Sequence, residues 1–324
     1  MWPIIDILKV DPEFRTEKSA IRAIPDSKEL NEITEQLIDN LNLSKKEIAK
    51  NFNVSKASIE AWCGHPNSQI HPVPLWILDR LVNLNGDSKE LRMKINSLIN
   101  KVRCGRTGNI HILPKSLTPP LAAFVGAHIA DGSISTIGGS SSLNWELADG
   151  EKDNVEMCKK WIKEIFSIDL PVRKCKKARA WKLQTRIQII PQFLIKIFDI
   201  PVGKKDEIVK EPPIIKMPEN DKRLLTKPSL EEKRELELWF AKGVMNFDGH
   251  CTISGGTPMV CIGSNSVQLL LDLCRIFREN GVSFHLFLKH KKIMTTSKDE
   301  SIKFLELGCF ENAKQEKLKF LVKS

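Results

Sequence analysis

The stretch FVGAHIADGS, residues 124–133, decides how this chain is read. It follows a segment holding Pro114, Pro119 and Pro120, begins like a buried helix, and ends on an acid, a glycine and a serine. A carboxylate at the end of an apolar helix is either a solvated helix end or a group held there for a purpose. A second stretch, FAKGVMNFDGH at 240–250, has the same make-up: Phe, a small or apolar run, then Asp-Gly. The two Asp-Gly pairs lie 117 residues apart.

What surrounds each pair also repeats. After Asp131 the pattern changes from helix to strand, with SISTIGGSSSLNWELA predicting two short strands around a Gly/Ser turn. HCTISGGTPMVCIGS does the same after Asp248. A helix is predicted next in each case. EKDNVEMCKKWIKEIF carries Val155, Cys158, Trp161, Ile162 and Ile165, and SVQLLLDLCRIFREN carries Leu269, Leu270, Leu273, Ile276 and Phe277. Strand-like segments follow, LPVRKCKKARAWKLQTRI and VSFHLFLKHKKIMTTS, and a helix closes each unit around PQFLIKIF and ESIKFLELG. A repeat at this scale implies two related units.

Gly126 and Ala130 lie four residues apart on one helix face, where another helix backbone can approach closely. If Gly243 presents the same face, the two helices cross and their C-terminal ends bring Asp131 and Asp248 side by side. Two carboxylates at helix C-termini are repelled by each other and by the local dipole. A divalent cation relieves that repulsion, and Mg²⁺ accepts carboxylate oxygen together with water and phosphate.

The N-terminal third reads as helical. In NEITEQLIDNL, Ile33, Leu37, Ile38 and Leu41 form one apolar face. Ser44 with Glu47 makes a capping box, NFNV is a short turn, and Ser55 opens a further helix carrying Ile59 and Trp62. This is helix-turn-helix spacing, and its second helix would offer Ser55, Lys56, Ser58 and Glu60 to a DNA groove. PVPLWILDRLVNL starts another helix, and CGRTGNIHILPKSLTPP reads as a linker.

Composition bounds the class. The chain has 324 residues, 41% hydrophobic and 28% charged, which is ordinary for a globular protein of about two domains. Its net charge of +10 fits a polyanionic partner. Tyrosine is absent, so any base-stacking surface must use Trp, Phe, His or Arg. Eight scattered cysteines without a Cys-x-x-Cys pair read as reduced thiols of an intracellular, cytoplasmic protein, with an organelle also open. Cys63, His65 and His71 match no zinc spacing and read as loop residues. Residues 1–10 lack the basic start of a signal peptide, and no apolar run approaches a membrane span.

With these residues in view, the sequence resembles the LAGLIDADG homing endonucleases of the two-motif, single-chain type. The motifs align as FVGAHIADG (124–132) and AKGVMNFDG (241–249), and the likeness extends over residues 113–322. FDIPVGKKDEIVKEPPII and KFLELGCFENAKQEKL look like the family's segments after the closing helix. The implied fold is α+β: two pseudo-twofold-related αββαββα units, residues 113–216 and 217–324, preceded by a small all-α helix-turn-helix domain over residues 1–105.

The resemblance implies a site-specific DNA endonuclease making a metal-dependent double-strand break at a long asymmetric site. Asp131 and Asp248 would hold Mg²⁺ or Mn²⁺, activating water and stabilising the leaving 3′ oxygen. By position, Lys205 (with Lys204 beside it) and Lys314 would be the basic residues near the metal. Strands bearing Arg173, Lys174, Lys176, Lys182, Lys289 and Lys291 would lie along the major groove, partly as phosphate anchors.

Three positions depart from the family pattern. His128 stands where a large apolar residue is usual and reads as a packed, hydrogen-bonded histidine; Phe247 stands at the small-residue position matching Ala130; Asn246 stands where an acid is frequent. Two other functions fit the same fold. One is a non-cleaving DNA-binding regulator like the bacterial WhiA proteins, which combine this fold with a helix-turn-helix and have lost the acids. The other is an RNA maturase acting on intron RNA. The chain ends supply no splicing Cys or Ser start and no His-Asn terminus, which argues against an intein. With both motifs in one chain, a monomer is expected.

Overall fold

The computed structural model describes residues 1–10, 20–63, 71–105, 108–137, 142–175, 178–205 and 207–323. A 3-10 turn, Ile7–Val10, precedes strand β1 (Ile21–Ile24) and helices α1 (Glu29–Asp39), α2 (Lys45–Asn51) and α3 (Lys56–Trp62). Then come β2 (Val73–Pro74), α4 (Leu75–Leu84), α5 (Lys89–Leu98), β3 (Lys101–Cys104) and β4 (Ile110–His111). Ser44 caps α2 and forms the capping box with Glu47, while Ser55 caps α3. Ile33, Leu37, Ile38, Ile48, Ile59 and Trp62 face inward.

The expectation of an all-helical N-terminal region is corrected here. Its strands pair antiparallel in the order β2-β1-β3-β4, and β4 falls inside the stretch read as linker. Strands of two to four residues are too short to display a two-residue period, so pattern reading passes over them.

The two repeated units follow. The first runs α6 (Pro119–Asp131), β5 (Gly132–Thr136), β6 (Leu143–Asp149), α7 (Lys152–Phe166), β7 (Arg173–Lys174), β8 (Trp181–Thr185) and α8 (Ile189–Phe198). After a short helix α9 (Pro213–Lys216) the second runs α10 (Leu230–Asp248), β9 (His250–Ser254), β10 (Thr257–Gly263), α11 (Val267–Glu279), β11 (His285–Phe287), β12 (Lys292–Met294) and α12 (Lys298–Glu306). A last helix, α13 (Asn312–Lys323), packs back on α12 and β9. The sheets have equivalent orders, β5-β6-β8-β7 and β9-β10-β12-β11, all antiparallel. The fold is therefore α+β, with αββαββα appearing twice.

Each unit begins with one of two helices that cross at glycine. Pro119 and Pro120 occupy the first turn of α6, where a missing N–H breaks no helical bond. A capping box between Ser229 and Glu232 opens α10. A Cβ on Gly126 would stand 2.2 Å from the Phe240 carbonyl oxygen, and one on Gly243 would stand 2.0 Å from that of Ala123. Only glycine permits backbones this close. Buried Phe124, Val125, Phe240, Val244 and Met245 fill the space around the crossing.

The chain's first residues tie the leads into both helices together. Ile5 N–H donates to Lys115 C=O (2.8 Å) and Leu117 N–H to Pro3 C=O (2.8 Å) ahead of α6. Ahead of α10, Leu225 N–H donates to Ile4 C=O (2.7 Å) and Asp6 N–H to Arg223 C=O (2.8 Å). Ile5, Ile7 and Leu8 are fully buried, so this strap joins the N-terminal region and the two units in one apolar core.

Candidate active site at the helix seam

Asp131 is the last residue of α6 and Asp248 the last of α10. Both are half-buried, and the glycine after each starts an extended segment that runs directly into β5 or β9. Burial, then the charges of Asp248 and Asp149, push the Asp131 carboxyl up to about 7 from an ordinary 3.8. Burial also raises Asp248, with Asp149 adding to it. Lys205 and Lys314 pull both acids the other way without cancelling the rise.

The two lysines occupy matching places. Lys205 Nζ donates to the carbonyls of His128, Ile129 (2.7 Å) and Ala130 (3.2 Å) at the end of α6. Lys314 Nζ donates to those of Asn246 (2.7 Å) and Phe247 (2.9 Å) at the end of α10. The last carbonyls of a helix lack intrahelical partners and carry partial negative charge, so a cation there satisfies both needs. Lys205 comes from the loop after α8, whereas Lys314 comes from the first turn of α13. Burial pushes the Lys314 ammonium down, opposed by Asp149, Asp131 and Asp248.

Sequence reasoning passed over Asp149 and Asn154. Asp149 ends β6, is only 8% exposed, and accepts bonds from the Glu151 N–H (2.5 Å) and Asn154 Nδ2 (3.1 Å). Asn154 Nδ2 also reaches the Asn246 carbonyl at 2.8 Å, which links the first unit to the end of the second unit's helix. The signal was there: LADG at 147–150 is a third apolar segment closing on Asp-Gly. It ends a strand, so the helical template excluded it.

The three residues that depart from the motif the sequence resembles have structural explanations. His128 is fully buried, and its Nδ1 accepts from Trp145 Nε1 at 3.1 Å. Burial, followed by the nearby Lys205 charge, holds the ring neutral. Asn246 is buried, accepts from the Glu311 N–H (2.8 Å) and donates to the Lys242 carbonyl (3.0 Å), so it fastens the α12–α13 turn to α10. Phe247 is buried, while its counterpart Ala130 is half-buried.

The residues expected to meet DNA are dispersed. Ser55 and Ser58 spend their hydroxyls on the α3 cap and on each other (2.8 Å), and exposed Lys56 pairs with Glu60 at 3.0 Å. Arg173 and Lys174 are exposed on edge strand β7. Lys182, opposite Arg173 on β8, pairs with Glu146 at 2.8 Å. Lys289 and Lys291 were expected on a strand; they lie instead on and just after the 3-10 turn Leu288–His290, where Lys291 has φ 45°. Lys289, His290 and Lys291 are exposed at the turn, while Lys292 opens β12 and the strands on either side keep three residues each. Lys176 and His65 lie outside the described residues.

A two-acid site with this charge pattern fits a hard divalent cation, since two carboxyls raised chiefly by burial ionise more readily beside one. Among the described residues no helix is long and apolar enough to cross a membrane.

No family model and no curated protein matches the sequence. Solved structures do align. Mesophilic variants of the homing endonuclease I-DmoI align at 14% identity over 63% of this chain and 98% of theirs, with a TM-score of 0.39. I-DmoI in complex with DNA and Ca aligns at 13% identity over 63% of this chain and 98% of its own, TM-score 0.41. The N-terminal LAGLIDADG domain of DUF199/WhiA aligns at 13% identity over 64% of this chain and 88% of its own, TM-score 0.38. These are likenesses at low identity, and none of them names the family of this chain.

Proposed function

We propose that this chain is a site-specific DNA endonuclease of the two-motif, single-chain kind, hydrolysing one phosphodiester of each strand at a long asymmetric site. The observation that carries the reading is the acid pair. Two crossing helices end on Asp131 and Asp248, both carboxyls are raised, and each helix end is capped by a lysine.

Asp131 and Asp248 would hold Mg²⁺ or Mn²⁺, with water and phosphate oxygen completing the coordination. A divalent ion held there supplies Lewis acidity and a more acidic bound water. The protein's own groups do the rest. The glycine crossing fixes the separation of the two acids, and His128 packs neutral behind Asp131. Lys205 and Lys314 hold positive charge beside the acids, where they also face charge developing on a phosphate.

In this reading residues 113–216 and 217–324 each serve one strand, and residues 1–105 lengthen the footprint through α3. The net charge of +10, with Arg173, Lys174, Lys182, Lys289 and Lys291 at the surface, supports duplex DNA as the partner. The chain acts as a monomer, because the seam that a one-motif protein would make by dimerising is internal. A non-cleaving DNA-binding regulator or an RNA maturase would use the same surfaces, but neither needs both acids.

Incubating the protein with a randomised duplex library in Mg²⁺ and sequencing the cut ends tests the reading. Defined double-strand breaks at one sequence are expected. Binding without any cut in Mg²⁺ or Mn²⁺ would favour the regulator.

A further inference from the structure

The two sheets carry the same architecture and different chemistry on their open faces. On the first, the inner positions Ile134, Trp145, Leu147 and Leu183 are buried, and the outer positions form rows across the strands. Ser133, Glu146 and Gln184 make one row; Ala148, Lys182 and Arg173 make another; Ser135 faces Asn144. Gln184 Nε2 bonds Asn144 Oδ1 at 3.0 Å, and Lys182 bonds Glu146. Nearly every outward group there is a hydrogen-bonding one.

On the second sheet the inner positions Val260, Ile262 and Ile293 are likewise buried. The outer rows differ. His250, Cys261, Met294 and His285 lie directly opposite one another across the four strands. Thr252 faces Met259, and Lys292 faces Phe287. His250 Nε2 rests 2.9 Å from Cys261 Sγ. Met259 and Met294 are half-buried and Phe287 is 37% exposed, a patch of soft apolar groups with methyl-bearing Thr252 beside it. The outward positions of β9 to β12 include no Asn, Gln, Arg or carboxylate.

β5 and β9 are the sheet strands that leave the seam immediately after the acids, and each is an edge strand. A phosphodiester held at Asp131 and Asp248 would have β5 and β9 as its nearest sheet strands, and a two-stranded part of either sheet fits a major groove. Resting on the endonuclease reading above, we infer that the two halves read their flanks of the target by different chemistry. The first sheet reads base edges through hydrogen bonds donated by Lys182, exchanged with the amides of Gln184 and Asn144, and accepted by Glu146. The second reads thymine methyl groups through Met259, Met294, Phe287 and Thr252, so its flank is rich in A·T pairs. Basic groups at the turn between β11 and β12, Lys289 and Lys291, anchor the phosphates beside the apolar patch.

The experiment selects binders of the full-length protein from a randomised duplex library in EDTA, then replaces thymine by deoxyuridine in one flank at a time. Selection with a Met259→Gln/Met294→Gln protein identifies the second sheet's flank, because its consensus changes on that side alone. Uracil in that flank should weaken binding roughly fourfold for each contacted methyl lost, and uracil in the other flank less than about twofold. The double variant should lose the share of the uracil sensitivity that Met259 and Met294 carry, leaving only what Phe287 and Thr252 supply. Equal uracil effects on both flanks, or a larger effect under the first sheet, would overturn the inference and leave DNA recognition standing. No enrichment of any sequence would overturn the endonuclease reading and this inference with it.

Discussion

Gly126 meets the Phe240 carbonyl as Gly243 meets the Ala123 carbonyl. The next neighbours match too, Val244 N for Gly126 and Ala127 N for Gly243. Each residue is 117 positions from its counterpart, so the crossing is symmetric in sequence as well as in space. A methyl at either glycine would strike a backbone atom that has nowhere to turn. Gly126→Ala and Gly243→Ala should each cost about 1–3 kcal/mol, and similar amounts, because the contacts are equivalent. The double variant should cost less than the sum, since the first substitution already parts the helices. Urea denaturation of the three variants checks this, and unequal or fully additive losses would contradict the symmetric seam.

The acid pair predicts a pH signature. Raised carboxyls in the folded state mean that the folded chain holds protons that the unfolded chain has already lost. Below about pH 4 both states are protonated and the pair costs nothing. Stability then falls as pH rises through the window from about 4 to about 7, and the full cost is present above it. Asp131→Asn should match the wild type at pH 4 and exceed it at pH 8 by on the order of 1–2 kcal/mol, allowing for solvent screening. Mg²⁺ should narrow the gap by stabilising the wild type alone, and cleavage should vanish in the variant while DNA binding persists. A gap that does not change with pH would mean that the Asp131 carboxyl is not raised in the folded chain.

Much of this site could be read from residue order, for physical reasons. A helix that must let another backbone approach needs glycine at a set position, and a strand that starts at once needs a break after the acid. Both leave letters in the sequence, twice. What escaped lacks a period or a local partner. Strands β1, β2 and β3 are held by pairing to distant segments, and the strap from Pro3 to Asp6 gains its meaning only from Lys115, Leu117, Arg223 and Leu225. Lys289 and Lys291 followed solvent to a turn, whereas period alone kept them on a strand. Asp149 was hidden because its neighbours at the site come from other elements.

That strap carries its own prediction. Removing residues 1–10 deletes main-chain bonds to the segments ahead of α6 and α10 and uncovers the faces that Ile5, Ile7 and Leu8 bury. The truncated chain should melt on the order of 10 °C lower. It should also lose cleavage while a bound duplex is still retained, since the leads into both crossing helices are loosened. An unchanged melting temperature would mean that residues 113–324 fold without help from the start of the chain.

Lys314 separates two roles that its position combines. Its ammonium caps the Asn246 and Phe247 carbonyls, and its charge opposes the rise of Asp131 and Asp248. Lys314→Met keeps much of the stem and removes both functions, so stability at pH 8 should drop by about 1–3 kcal/mol. The same substitution in an Asp248→Asn background distinguishes the causes. If capping alone matters, the loss is equal in both backgrounds. If the lysine offsets the acid pair, the loss shrinks once one negative charge is gone, and the difference is the coupling between them. We expect a smaller loss in the Asp248→Asn background. The acid limb of the wild-type activity profile should also move to higher pH in Lys314→Met, because carboxyls without their cation hold protons longer. The matching variant Lys205→Met should behave alike at the α6 end, where the same kind of cap is made from a different element. Equal losses in both backgrounds, with an unshifted acid limb, would leave the lysines as helix caps and take them out of the site's electrostatics.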